Sequence, residues 1–145
     1  MDLNEEEIQI NIQKHIDAIS KYKSLWPNPD AEIGYYGQVP LRSYWHSLQD
    51  PTSDKYKQWQ SWNTRAAPIV DAVDYLAPSL YTFYENRQGW EKYARENVSE
   101  ARRISQGKPI YCFLWPRYHD SNATLKYQFL EPDYFRMQLE VTYEV

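Results

Sequence analysis

Four isoleucines, Ile8, Ile12, Ile16 and Ile19, recur every three or four residues and draw one apolar stripe along a helix. Asn4 precedes the stripe as a cap, and Glu5, Glu6 and Glu7 put carboxylates at the positive end of the helix dipole. Pro27 and Pro29 stop this helix near Trp26. A short strand is predicted at Ile33-Gly34-Tyr35-Tyr36-Gly37. Pro40 and the polar stretch to Asp54 predict a long loop, and a helix carrying Trp59 and Trp62 is predicted over residues 54 to 66.

A second strand is predicted from Val73 to Tyr81, with Pro78 at its end because proline has no N–H to give to a ladder. Beyond a loop with Glu85, Arg87 and Gly89, a second helical stripe runs through Trp90, Tyr93, Ala94, Val98, Ala101 and Ile104. Gly107 suits its C-terminal cap, and Pro109 prevents continuation. Residues from Pro109 to Trp115 are almost all apolar, the pattern of a strand covered on both faces. A polar loop from Pro116 to Asn122 follows. A last helix begins near Pro132, holds Phe135, Leu139 and Val141, and reaches Val145 without a stop signal.

Helices that alternate with strands at this spacing predict an α/β fold, a partial (β/α) TIM-type barrel of about three βα units with parallel strands. A complete barrel needs about 250 residues. The 145 residues are therefore expected to form a single partial-barrel domain, truncated at both ends. A small three-layer α/β domain, complete as it stands, is the alternative.

Composition narrows the chemistry. A formal net charge of −4 and the absence of a Lys/Arg run argue against nucleic acid as a partner. No apolar run approaches the length of a membrane span, and the acidic start, Met1 to Glu7, is not a signal peptide. The single cysteine, Cys112, cannot form an internal disulfide and lies in an apolar run, as a structural thiol does. No metal pattern occurs and no cofactor is implied. Aromatic side chains make up 17% of the chain, with 14 Tyr and 6 Trp. These offer a flat apolar face with a hydrogen-bonding tip, the combination that suits a sugar ring, although a tyrosine-rich core accounts equally well for the count.

Three aromatic and polar clusters fall where predicted strands end, the place where parallel α/β proteins gather function. They are Tyr35-Tyr36-Gly37-Gln38, Pro78-Ser79-Leu80-Tyr81 with Tyr84 and Glu85 beyond, and Trp115-Pro116-Arg117-Tyr118-His119-Asp120. Ile33-Gly34-Tyr35-Tyr36-Gly37 resembles the G-[FY]-Y-[GA] strand of the hyaluronidase family. Tyr75-Leu76-Ala77-Pro78-Ser79-Leu80-Tyr81 resembles its L-x-P-S-[IV]-Y strand. Ala101-Arg102-Arg103-Ile104 is similar to the helix that follows, and Lys108 to Asp120 to the next strand and its aspartate-bearing loop. Order and spacing agree over residues 30 to 145.

The resemblance implies a glycoside hydrolase that acts at N-acetylhexosamine units, with the substrate's own acetamido oxygen as nucleophile and a protein glutamate as proton donor. It implies that Tyr36 and Tyr81 lie beside the acetamido group and that Asp120 lines the cleft. Trp115, Tyr118 and Glu85 complete the candidate substrate-binding set, and no catalytic residue is assigned. The family's D-x-E pair belongs to an earlier strand, and its cleft tryptophan to a strand after Val145. The family's animal members carry cysteines that Gln38 to Asp54 lack. The literal D-x-E here, Asp30-Ala31-Glu32, precedes its strand and is expected at the non-functional end. His119 and Asp120 are adjacent on one loop and read as solvated polar residues. An amino-sugar polymer or oligosaccharide is the expected partner. A carbohydrate-binding, barrel-derived module without catalysis is the alternative, and the chain alone is expected to be inactive.

Overall fold

The computed structural model describes residues 4–145. Met1, Asp2 and Leu3, part of the acidic start, lie outside the described residues.

Helix α1 (Glu5–Leu25) begins with a reciprocal capping box: Asn4 Oδ1 accepts from the Glu7 amide, and Glu7 Oε2 accepts from the Asn4 amide, both at 2.9 Å. Its buried positions are Ile12 and Ile19, on the stripe that the isoleucine spacing marks. The polar stretch before Asp54 holds a four-residue helix, α2 (Tyr44–Ser47), which the sequence pattern does not disclose. Helices α3 (Asp54–Ala66), α4 (Pro68–Ala72), α5 (Arg87–Ile104) and α6 (Pro132–Glu144) complete the helical elements among the described residues. In α6 the buried positions are Tyr134, Gln138 and Val141, whereas Leu139 is half exposed.

The parallel-strand barrel expectation is overturned. The described residues are dominated by helix, and the three extended segments, near 33–37, 73–82 and 109–118, meet only through isolated bridges. These bridges are parallel and join Tyr36 to Ala77, Leu76 to Ile110, Ser79 to Phe113 and Thr82 to Tyr118. Between the first two segments the backbone hydrogen bonds are Asp74 N–H to Ile33 O and Gly37 N–H to Ala77 O, too widely spaced for a ladder. Pro78 interrupts the middle segment rather than ending it. It accepts from Phe113 N–H through its carbonyl but has no N–H of its own to give back.

The third segment also departs from expectation. Ile110, Cys112 and Leu114 turn toward the helices, while Tyr111 and Phe113 are 49% and 41% exposed. One face is therefore open, and its apolar character reflects aromatic side chains facing solvent. On the covered side lie two cores. One gathers Ile12, Ile19, Ile69, Val70, Leu76 and Ile104 under α1 and α4. The other gathers Leu80, Phe83, Trp90, Tyr93, Tyr118 and Tyr134 under α5 and α6.

Two glycines of the first segment have fixed roles. A Cβ on Gly34 would stand 2.6 Å from the Tyr75 ring. Gly37 has φ +65°, which an L side chain rarely adopts.

Candidate functional site

Helix α5 sets the middle segment in place. The fully buried Tyr93 hydroxyl donates to Ser79 O at 2.6 Å, and the buried Trp90 Nε1–H donates to Leu80 O at 2.9 Å. Replacing either anchor by alanine removes a buried aromatic, a loss of about 3–5 kcal/mol. Further along, Gln138 Nε2 of α6 donates to Thr82 Oγ1 at 2.7 Å, and Asn122 Nδ2 donates to Phe83 O at 2.8 Å. With four successive points from 79 to 83 held from behind, Ser79 Oγ and the Tyr81 ring are presented forward.

On the open face the rings form a continuous row. Phe113 lies 5.2 Å from Tyr36 between centroids, Tyr36 5.5 Å from Tyr81, and Tyr81 5.5 Å from Trp115. Trp115 meets Tyr127 edge to face at 6.1 Å. Tyr36 and Ser79 share a hydrogen bond of 2.7 Å between their hydroxyls. Burial pushes the Tyr36 phenol up to about 12, partly offset by the Ser79 hydroxyl, so it stays neutral near pH 7. Tyr127 sits at φ +64°, a conformation that costs a bulky residue on the order of 1–3 kcal/mol. The loop from 117 to 129 folds back through an antiparallel bridge between Arg117 and Phe129, and this return brings Tyr127 to Trp115.

Of the sequence-derived candidates, Tyr36, Tyr81 and Trp115 come together in this row. Tyr118 does not: it is 1% exposed within the core, with its hydroxyl 3.5 Å from Glu131 Oε2. Burial first, then the charges of Glu131 and Glu85, push its phenol up to about 12. Glu85 is exposed and makes no hydrogen bond among the described residues. Asp120 is 58% exposed and stands 2.9 Å from His119 Nδ1, so these two neighbours form a pair. The sequence clusters hold Ser79 but place Phe113 and Tyr127 in no site. The alternation Tyr111, Phe113, Trp115 is the signal that points to Phe113.

Asp30 and Glu32 lie at the far end. Ile33, the next residue, pairs with Asp74, whereas Tyr36 pairs with Ala77 further along the parallel segments. An open apolar cavity of about 310 Å³ lies elsewhere, between α1, α3 and α4, lined by Ile12, Trp62 and Ile69.

No family model and no curated protein matches the chain. Among solved structures it is similar to bee venom hyaluronidase. Against the crystal structure of that enzyme in complex with a hyaluronic acid tetramer, the TM-score is 0.60 at 16% identity, covering 94% of this chain and 51% of that one. Against the monoclinic crystal structure of the same enzyme, the TM-score is 0.54 at 17% identity, covering 94% and 52%. The chain spans about half the length of the structures it matches, and at such identity the likeness is one of fold.

Proposed function

We propose that the chain is part of a hyaluronidase-like glycoside hydrolase and that its open aromatic row lines a carbohydrate cleft at N-acetylhexosamine units. The observation that carries this reading is the row itself: Phe113, Tyr36, Tyr81 and Trp115 lie edge by edge, with the Tyr36 and Ser79 hydroxyls between them. Such a surface matches a sugar ring, which has an apolar C–H face and a rim of hydroxyls. The likeness to an enzyme crystallised with a hyaluronic acid tetramer supports the same partner class.

The catalytic acid is assigned to residues outside these 145. Cleavage requires a proton donor at the leaving oxygen. Tyr36, held neutral up to about 12, is a poor donor near pH 7. The Asp30–Glu32 pair lies at the other end of the segments, and Asp120 is paired with His119.

Titration calorimetry with hyaluronan and chitin-like oligosaccharides tests the binding reading. Tyr81→Ala and Trp115→Ala are each expected to weaken binding about tenfold, equivalent to about 1.4 kcal/mol. Tyr143→Ala, at a side chain 93% exposed on α6, is expected to change nothing. No hydrolysis is expected from the chain alone. Turnover lost in Glu85→Gln or Asp120→Asn would place the acid within the chain and overturn that assignment.

A further inference from the structure

We propose that the open cavity between α1, α3 and α4 is a second ligand site, one that takes a small organic carboxylate with an apolar body. It stands apart from the aromatic row and does not rest on the carbohydrate reading.

The walls of the cavity are parts that the fold already fixes. Ile12 and Ile69 belong to the core under α1 and α4 and form its apolar floor. Trp62 of α3 stands at one side, with the His46 ring against it at 5.0 Å between centroids. Leu41, also in the lining, is clamped through its backbone: its N–H donates to Asn63 Oδ1 at 2.7 Å, and its carbonyl accepts from Trp59 Nε1–H at 2.8 Å. On α1, His15 O accepts from the Tyr35 hydroxyl at 3.0 Å. A site whose walls are held in advance gives up little freedom on binding.

Volume decides the size of the occupant. The 310 Å³ of the cavity is room for about ten non-hydrogen atoms, at roughly 30 Å³ for each water-sized unit. That is the lower end of small-molecule pockets, and too little for a helix or strand of a partner protein.

The polar lining decides its charge. No Asp or Glu lines the cavity, although acidic side chains outnumber basic ones by 20 to 16 in the chain. The one permanent charge in the lining is Arg65. The nearest carboxylate oxygen, Glu5 Oε2, is 3.4 Å from Arg65 Nε, and the two side chains are 37% and 61% exposed, so water competes for that pair. Arg65 makes no hydrogen bond among the described residues, which leaves its guanidinium donors unspent. The other polar side chains of the lining, Asn11, His15 and Gln38, each carry an N–H, and the Asn11 amide oxygen is already taken by Lys14 at 3.3 Å. A carboxylate only accepts, and its two oxygens match the guanidinium fork. A cation would meet Arg65 with no carboxylate to balance it. A sugar would find a single ring, Trp62, in place of a row.

The test uses the full chain with phenylpropanoate and its uncharged counterpart phenylpropanol, followed by NMR of the Trp62 indole N–H and the Ile12 and Ile69 methyl groups. The carboxylate is expected to saturate these signals with a Kd of about 1 mM or below, and to bind about tenfold more tightly than the alcohol. Arg65→Ala is expected to bind the alcohol as the wild type does and to lose the carboxylate's advantage. Arg65→Lys, which keeps the charge without the fork, is expected to retain an advantage of about threefold. Arg65 is more than a third exposed, so both variants are expected to fold, with unchanged Tyr36 and Tyr81 signals as the check. Equal affinity of the two probes for the wild type, or an advantage that survives Arg65→Ala, overturns the carboxylate assignment. No saturable shift of Trp62, Ile12 and Ile69 up to about 10 mM overturns the site itself. Neither result touches the aromatic row, whose reporters are Tyr36, Tyr81 and Trp115.

Discussion

Ser79, Tyr81 and Tyr118 show how far a single side chain could be read in advance. Tyr36, Tyr81 and Trp115 are legible because each stands near the end of an apolar run, where the local pattern turns polar. Tyr118 looks equivalent in sequence, yet the fold-back of its loop turns it into the core beside Glu131. Nothing local signals that turn, since it depends on Tyr127 and Gln128 pairing with Tyr118 through the backbone. Cys112 is a residue whose character was legible, because an apolar context predicts an inert thiol. Burial pushes it up to about 11 from an ordinary value near 9. At pH 8 its thiolate fraction is then about a hundredfold below that of a free thiol. An aromatic disulfide reagent is expected to react with the native chain about that much more slowly than with the unfolded chain. Equal rates would show that the thiol is not desolvated.

At the scale of elements, helices were the readable part. The stripes of α1 and α5, the cap at Asn4 and Pro132 in the first turn of α6 mark helices that form where the sequence puts them. The extended runs were misread as strands, because a run of β-favouring residues says nothing about whether its neighbours supply a full ladder. Pro78 and the sparse bonds near Ile33 and Gly37 leave single bridges instead. The joint between α3 and α5 is polar and equally hidden. Glu100, whose side chain is 1% exposed, takes a two-point contact from Arg103, which also donates to Gln60 O and Thr64 Oγ1 on α3. Removing Arg103 strands a buried carboxylate, a change worth 3–5 kcal/mol in a fully buried pair. Because Arg103 is 40% exposed and Gln60 still donates to Glu100, Arg103→Ala is expected to cost about 1–2 kcal/mol in urea unfolding. A change near zero would show that water replaces the guanidinium.

For the whole molecule, the decisive feature is asymmetry. Helices bury one side of the extended segments and leave Tyr36, Tyr111 and Phe113 between 39% and 49% exposed on the other. An aromatic surface of this kind is unusual without a partner. The fold is similar to about half of bee venom hyaluronidase, and the proposal is that the open row holds a sugar. Mapping aromatic-carbon NMR shifts during titration with an N-acetylglucosamine oligosaccharide, up to about 10 mM to reach weak affinities, tests this most directly. The expected result is concerted, saturable shifts of Tyr36, Tyr81, Phe113 and Trp115, with Trp62 in the apolar cavity unmoved. Shifts confined to Trp62, or no saturable shift along the row, would contradict the account.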